Sequence, residues 1–245
     1  MFVRLPTSVS EAQECLVEGA VPVGGATLVW ASWQRDGFPE QAVSLRELPE
    51  AKVIGDGTLG AAVLLHEIDE RVPEVLRRAA AGVGTGAVRR TATVGGNIVG
   101  STLRCLLPAA LVLDARAVVL EPDGPVETDL AELLAKRPLL LNLRWREPVA
   151  SGYRKLTGEV RGEVPFVVAV AVRAAEGAEP PQVGVAVRDG YDVISESTPY
   201  DADAERILDV LDRTALGTLP DAVRAAVREE VVSLVGVVER VADGS

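Results

Sequence analysis

Two glycine pairs constrain this chain more than any other feature. VGGATL occupies residues 23–28, and TVGGN occupies 93–97 within the longer stretch TATVGGNIVG. Adjacent glycines admit backbone conformations that a Cβ forbids, and they let main-chain N–H groups come close to a ligand. Each pair follows a stretch that reads as a strand. Successive N–H groups at such a turn form a nest for an anion. The hydroxyls of Thr27 and Thr93 and the carboxamide of Asn97 add donors, and Arg89 lies just upstream of the second loop. Either loop alone also reads as a plain strand–turn corner. Together they point to a diphosphate held between two small subdomains, and so to a nucleotide-sized cofactor. A third stretch, Gly82-Val83-Gly84-Thr85-Gly86-Ala87, matches the G-x-G-x-x-A dinucleotide pattern but lacks its setting. A helical segment precedes it, and no acidic residue follows about 20 positions on to hold a ribose. It reads as a helix stop followed by a turn.

The bulk properties narrow the function classes. With 245 residues and 48% hydrophobic content the chain can build a packed core in one large domain or a few small ones. A formal charge of −11 with no basic stripe argues against a nucleic-acid partner. No apolar run approaches the ~18 residues of a membrane span; VPFVVAVAV at 164–172 is strand-sized. The opening MFVRLPTSVSEAQ lacks the cationic start and apolar core of a signal peptide. Cys15 and Cys105 stand far apart, without metal-ligand spacing, which fits a reducing, cytoplasmic setting. With His66 the only histidine, most hydrolase triads and histidine-based metal sites are excluded.

Along the chain, Ser8-x-x-Glu11 has capping-box spacing and opens a helix over 9–18. VPVGGATLVW reads as a strand, a glycine turn and a second apolar segment; QAVSL, AKVI and GTLGAAV read as short strands. Pro73 starts a helix over 74–81 that ends before the glycines, and Pro108 opens one running to Leu113. ARAVVLEPDGPVE is a hairpin turning at Asp123-Gly124. Thr128 is expected to cap the helix DLAELLA, and LLLNLRW returns as a strand. YRKLTG, FVVAVAV, QVGVAVRDG and YDVISES then read as an antiparallel sheet, closed by helices over 202–215 and 220–242. Many short strands with segregated helices give an α+β fold.

VPVGGATLVW, VRRTATVGGNIVG and PAALVLDARAVVL together resemble the FAD-binding (medium) subunit of molybdenum hydroxylases, the flavin component of the carbon monoxide dehydrogenase and xanthine dehydrogenase group. The resemblance covers essentially the whole chain; RLPTSVSEA and GYRKL fit the family's opening segment and the start of its C-terminal domain. It implies a PCMH-type FAD-binding domain over 1–148, in subdomains of about 1–50 and 51–148, and a C-terminal flavoprotein domain over 149–245. It implies FAD as cofactor, with Val23, Gly24, Gly25, Ala26, Thr27 and Leu28 on one side of the pyrophosphate and Thr93, Val94, Gly95, Gly96 and Asn97 on the other. Arg89, Cys105 and Lys155 complete the set of cofactor-binding candidates. The implied role is electron transfer from a 2Fe-2S small subunit to an external acceptor such as NAD or a quinone. Substrate chemistry then belongs to a separate molybdopterin-binding large subunit, which explains why no acid–base or nucleophile constellation is present here.

Three departures stand out. Cys105 occupies the place of an aspartate that contacts the flavin in relatives, Ala26 replaces a larger polar residue, and Arg104 follows the second loop. A thiol is a poor acceptor, so a weaker flavin site is expected, with Cys105→Asp strengthening it. Two other readings stay open: a paralogue that keeps the fold as a scaffold without flavin, and a stand-alone FAD-dependent oxidoreductase. Beyond these, Trp30 and Trp33 read as core or interface anchors and His66 as a structural histidine.

Overall fold

The computed structural model describes residues 1–156 and 164–243. In chain order the elements are β1 (Phe2–Arg4), α1 (Val9–Val17), β2 (Val21–Pro22), α2 (Val29–Asp36), β3 (Gln41–Val43), β4 (Ile54–Gly55), β5 (Thr58–Gly60), α3 (Glu74–Ala81), α4 (Gly86–Arg89), α5 (Leu107–Val112), β6 (Arg116–Glu121), β7 (Gly124–Thr128), α6 (Leu130–Lys136) and β8 (Leu139–Arg144). They continue as β9 (Ala150–Lys155), β10 (Val167–Arg173), β11 (Gln182–Asp189), β12 (Asp192–Pro199), α7 (Ala204–Leu211) and α8 (Asp221–Asp243). The chain forms two compact units. The first holds Met1–Val72, Ala80–Leu106 and Ala115–Trp145; the second holds Pro73–Ala79, Leu107–Asp114 and Arg146–Ser245.

The first unit begins with a parallel sheet in the order β1-β3-β2. Parallel neighbours need a crossover, and α1 and α2 supply the two. The second apolar segment of VPVGGATLVW is therefore helix α2, not another strand. α2 buries none of its residues; Trp30 and Trp33 instead lie against Phe38, with ring centroids 5.2 and 6.2 Å away. At the start of α1, Ser8 Oγ accepts from the Glu11 N–H as the capping pattern predicts. The returning bond lands one residue earlier than in a standard box: the Glu11 carboxylate accepts from the N–H and hydroxyl of Thr7.

An antiparallel sheet in the order β4-β5-β8-β6-β7 fills the rest of this unit. AKVI and GTLGAAV give only the short β4 and β5, because Ala51 is taken up by the single-turn helix Pro49–Ala51. A bulge places Leu141 as the extra residue of β8, and its carbonyl accepts from the Ala61 N–H at 2.8 Å. Ala12 of α1 packs with Leu45, Leu48, Val118, Leu120 and Leu141 in one buried cluster. The cap of α6 is Asp129, whose carboxylate accepts from the Glu132 N–H at 2.7 Å, rather than Thr128. Thr128 is still paired with Ala117 in the β7 ladder, so its hydroxyl is left to donate to the Glu132 carboxylate.

The second unit is an antiparallel sheet in the order β12-β11-β10-β9. β10 is buried on both faces, and its alternation of valine and alanine sorts them by partner. Val168, Val170 and Val172 join Val183, Val185 and Val187 against Ile207 and Leu211 of α7 and Val223, Val227 and Val231 of α8. The opposite face is small, with Ala169, Ala171, Gly184 and Ala186, and α5 packs there. A Cβ on Gly184 would sit 3.0 Å from the Val112 carbonyl oxygen. Of the stretch YRKLTG, β9 runs to Lys155, while Thr157 and Gly158 lie outside the described residues.

Candidate functional site

Loop 23–28 leaves the C-terminal end of β2 and enters α2, the place in a parallel sheet where backbone N–H groups are left for a ligand. The Val23 N–H still pairs with the Val43 carbonyl at 2.9 Å. Ala26 takes a left-handed backbone with φ 54°, and its carbonyl accepts from Trp30 N–H at 3.1 Å, which turns the chain into the helix. Among the described residues, the N–H groups of Gly24, Gly25, Ala26, Thr27 and Leu28 donate to no protein acceptor. α2 has no side-chain cap either.

Loop 93–97 is built the opposite way, with its donors satisfied internally. Val94 N–H donates to Val63 O at 3.0 Å, Gly95 N–H to Ala61 O at 2.8 Å, Gly96 N–H to Thr93 Oγ1 at 3.1 Å and Asn97 N–H to Thr93 O at 2.9 Å. Asn97 is buried, and its Oδ1 accepts from the Leu106 N–H at 2.9 Å, pinning the chain after the π-type turn Gly96–Gly100. Loop 23–28 packs directly on the start of the second loop and the residues before it, Thr91–Thr93. A Cβ on Gly24 would stand 2.2 Å from Thr93 Oγ1, and one on Gly25 would stand 1.6 Å from the Thr91 carbonyl oxygen. Open donors thus lie on a rigid, internally bonded floor.

Both loops line one cleft of about 630 Å³ in the first unit, within the size range of cofactor sites. Of the candidates read from the sequence, Val23, Gly24, Gly25, Ala26, Thr93, Gly95 and Gly96 line it. Thr27 and Leu28 are exposed beside it, and Val94 and Asn97 are buried behind it. The Arg89 guanidinium donates to the carbonyls of Val83 and Gly84 at 2.9 and 3.1 Å, bracing the glycine turn in which Gly84 has φ 46°. That turn is the helix stop expected for the G-x-G-x-x-A stretch, while Gly86 and Ala87, expected in a turn, begin α4 with Thr85 as its cap. Cys105 is half-buried in the turn after Arg104, which has φ 40°. Lys155 is exposed at the end of β9 in the second unit. The exposed ring of His66 has Nδ1 3.3 Å from the Arg89 carbonyl oxygen, a structural contact.

The sequence reading did not single out the charged part of the lining: Arg46, Lys52 and Arg137, with Glu47 and Glu67. These residues come from three separate places in the chain, and no spacing links them. Glu67 is engaged locally, accepting from the Leu64 N–H at 2.9 Å, and Arg46 lies 3.7 Å from Glu47. No group of metal-ligating side chains occurs among the described residues. The cleft therefore offers backbone donors, cations and apolar walls such as Leu64 and Leu139, a set suited to an anionic, nucleotide-sized ligand and not to a metal.

Comparison with solved structures finds the same fold at low identity. A Cu,Mo-CO dehydrogenase in its cyanide-inactivated form aligns over 97% of this chain and 98% of its own, with 18% identity and a TM-score of 0.72. Quinoline 2-oxidoreductase from Pseudomonas putida 86 aligns over 96% and 97%, with 15% identity and a TM-score of 0.69. Carbon monoxide dehydrogenase from Hydrogenophaga pseudoflava aligns over 98% and 95%, with 18% identity and a TM-score of 0.68. Sequence comparison with curated proteins finds no match. The family model described as the FAD binding domain in molybdopterin dehydrogenase matches residues 2–143, more than half of the chain and all of the cleft described above. This chain belongs to that family, and FAD is its cofactor.

Proposed function

We propose that the chain is the FAD-carrying electron-transfer subunit of a molybdenum hydroxylase-type oxidoreductase. The observation that carries this reading is the row of open backbone donors at 24–28, whose glycines pack on Thr91–Thr93 in the cleft that Gly95 and Gly96 also line. A diphosphate takes such N–H groups through charge-assisted bonds, the stronger kind. The residues present fit the cofactor: where the loops meet, glycine leaves no Cβ to separate them, and the cleft has the volume and polarity of a nucleotide site. In this reading Gly24, Gly25 and Ala26 bind the pyrophosphate, while Thr93, Gly95 and Gly96 hold that loop in place. FAD, when bound, supplies the exchange of electrons; the chain's own residues bind and orient it and keep its phosphates out of bulk water.

The reading extends to the assembly. Residues 1–148 would serve as the FAD-binding domain and 149–245 as the C-terminal flavoprotein domain. A molybdopterin-binding large subunit and a 2Fe-2S small subunit would be the partners, with the electrons leaving to an external acceptor, in the reducing cytoplasm that isolated cysteines suit. Purified chain titrated with FAD should bind one flavin per chain, read from quenching of flavin fluorescence, and tagged chain should co-purify with two further subunits from its native host. A folded chain that leaves flavin fluorescence unquenched at any concentration would overturn the cofactor site, and a chain that binds flavin but purifies alone would overturn the assembly.

A further inference from the structure

α6 ends on Arg137, and the backbone there is left-handed, with φ 51° and ψ 47°. Glycine is the usual residue at such a helix end, because a Cβ in this conformation crowds the following carbonyl oxygen. An arginine held at a disfavoured backbone position points to a use for its side chain. Charge at the helix end does not supply that use: Lys136, the residue before, already sits in the last turn and pairs with Glu132. In a chain with 36 carboxylates, the Arg137 guanidinium makes no ion pair or hydrogen bond with any described residue. The Lys52 ammonium, exposed at the end of the single-turn helix Pro49–Ala51, makes none either. Both residues line the same cleft.

We infer that Arg137 and Lys52 form a cationic clamp on the phosphates of the bound cofactor. The inference rests on the assignment of FAD to this cleft. Loop 24–28 supplies direction but no net charge, and a formal charge of −11 repels a dianionic diphosphate. Two cations without partners among the described residues offset that repulsion at the point of binding. The arginine fork engages two phosphate oxygens at once, and the lysine acts as a point charge.

The test is FAD titration of the full chain at low and at high salt, with wild type, Arg137→Gly and Lys52→Gln, beside thermal melts without flavin. Arg137→Gly removes the left-handed strain, so its flavin-free melting temperature should equal or exceed that of wild type. Its Kd for FAD should nevertheless rise about three- to tenfold at low salt, the size of one charge-assisted contact at a partly exposed site. The gap should narrow as salt screens the charge. Lys52→Gln should move in the same direction, and Arg137→Lys should recover the salt dependence but not the full affinity. Wild-type affinity in both Arg137→Gly and Lys52→Gln would overturn the clamp and leave the cofactor site standing. A loss of the same size at every salt concentration would also overturn it, since packing and not charge would then be responsible. A wild-type chain that binds no FAD would overturn both the clamp and the site.

Discussion

A Cβ added at Gly25 would fall 1.6 Å from the Thr91 carbonyl oxygen, and a backbone atom cannot swing aside as a side-chain end can. At Gly96 the nearest atom is the Thr93 hydroxyl at 3.0 Å, and at Gly95 it is the Ala61 Cβ at 3.0 Å. A side chain at 95 or 96 would therefore meet one tight protein neighbour at the wall of the cleft, and not a backbone carbonyl at 1.6 Å. Gly25→Ala should be the most damaging of these changes: it forces loop 24–28 off its floor, with a loss of about 1–3 kcal/mol in stability, as for overpacked sites, and a clear weakening of FAD binding. Gly96→Ala should be milder on both counts. Melting curves and flavin titration of the two variants check this ranking, and a Gly25→Ala chain that behaves as wild type would refute it. Much of the cleft floor was legible from residue types, because paired glycines with a threonine form a local pattern. Arg46, Lys52 and Arg137 were not, because each is an ordinary surface cation until the fold brings them to one cleft. Asn97 was legible as a motif residue but not in its task, which is to hold the Leu106 N–H.

The entry to α1 shows how much an element depends on a single side chain. Glu11 accepts from the Thr7 N–H and then from the Thr7 hydroxyl, and these bonds hold its carboxyl below the usual carboxylate range. A lowered folded value means that this contribution is present above the ordinary carboxylate pKa and is lost as pH falls through the folded one. Glu11→Ala should therefore melt below wild type at neutral pH, with the gap closing on acidification; a gap that does not vary with pH would sink the assignment. Helices α1, α3, α5, α6, α7 and α8 and strands β6, β8, β10, β11 and β12 were read correctly because each carries its period within itself. YRKLTG, by contrast, caught only the second half of β9, and the four-residue α4, capped by Thr85, fell in a stretch read as a turn. The parallel sheet was not, since β1, β2 and β3 have only three, two and three residues. Strands that short leave no alternation to detect. Capping of α6 by Asp129 also turned on a tertiary fact, the place of Thr128 in the β7 ladder.

In the molecule as a whole, the small-residue face of the second unit's sheet is covered by α5, a helix encoded well upstream of that sheet. A fragment of residues 149–245 lacks that cover and should bind a hydrophobic dye and melt without a sharp transition. A dye-free fragment with a cooperative melt would show that α5 is dispensable to the unit. The chain enters the second unit with Pro73–Ala79, returns, enters again with Leu107–Asp114, returns once more, and only then completes it from Arg146 onward. This interleaving sets a schedule for synthesis. At about 5–20 residues per second, the last hundred residues take roughly 5–20 s to emerge. Throughout that interval Val75, Leu76, Leu107 and Val112, all buried in the finished protein, wait on the nascent chain for a sheet that has not yet been made.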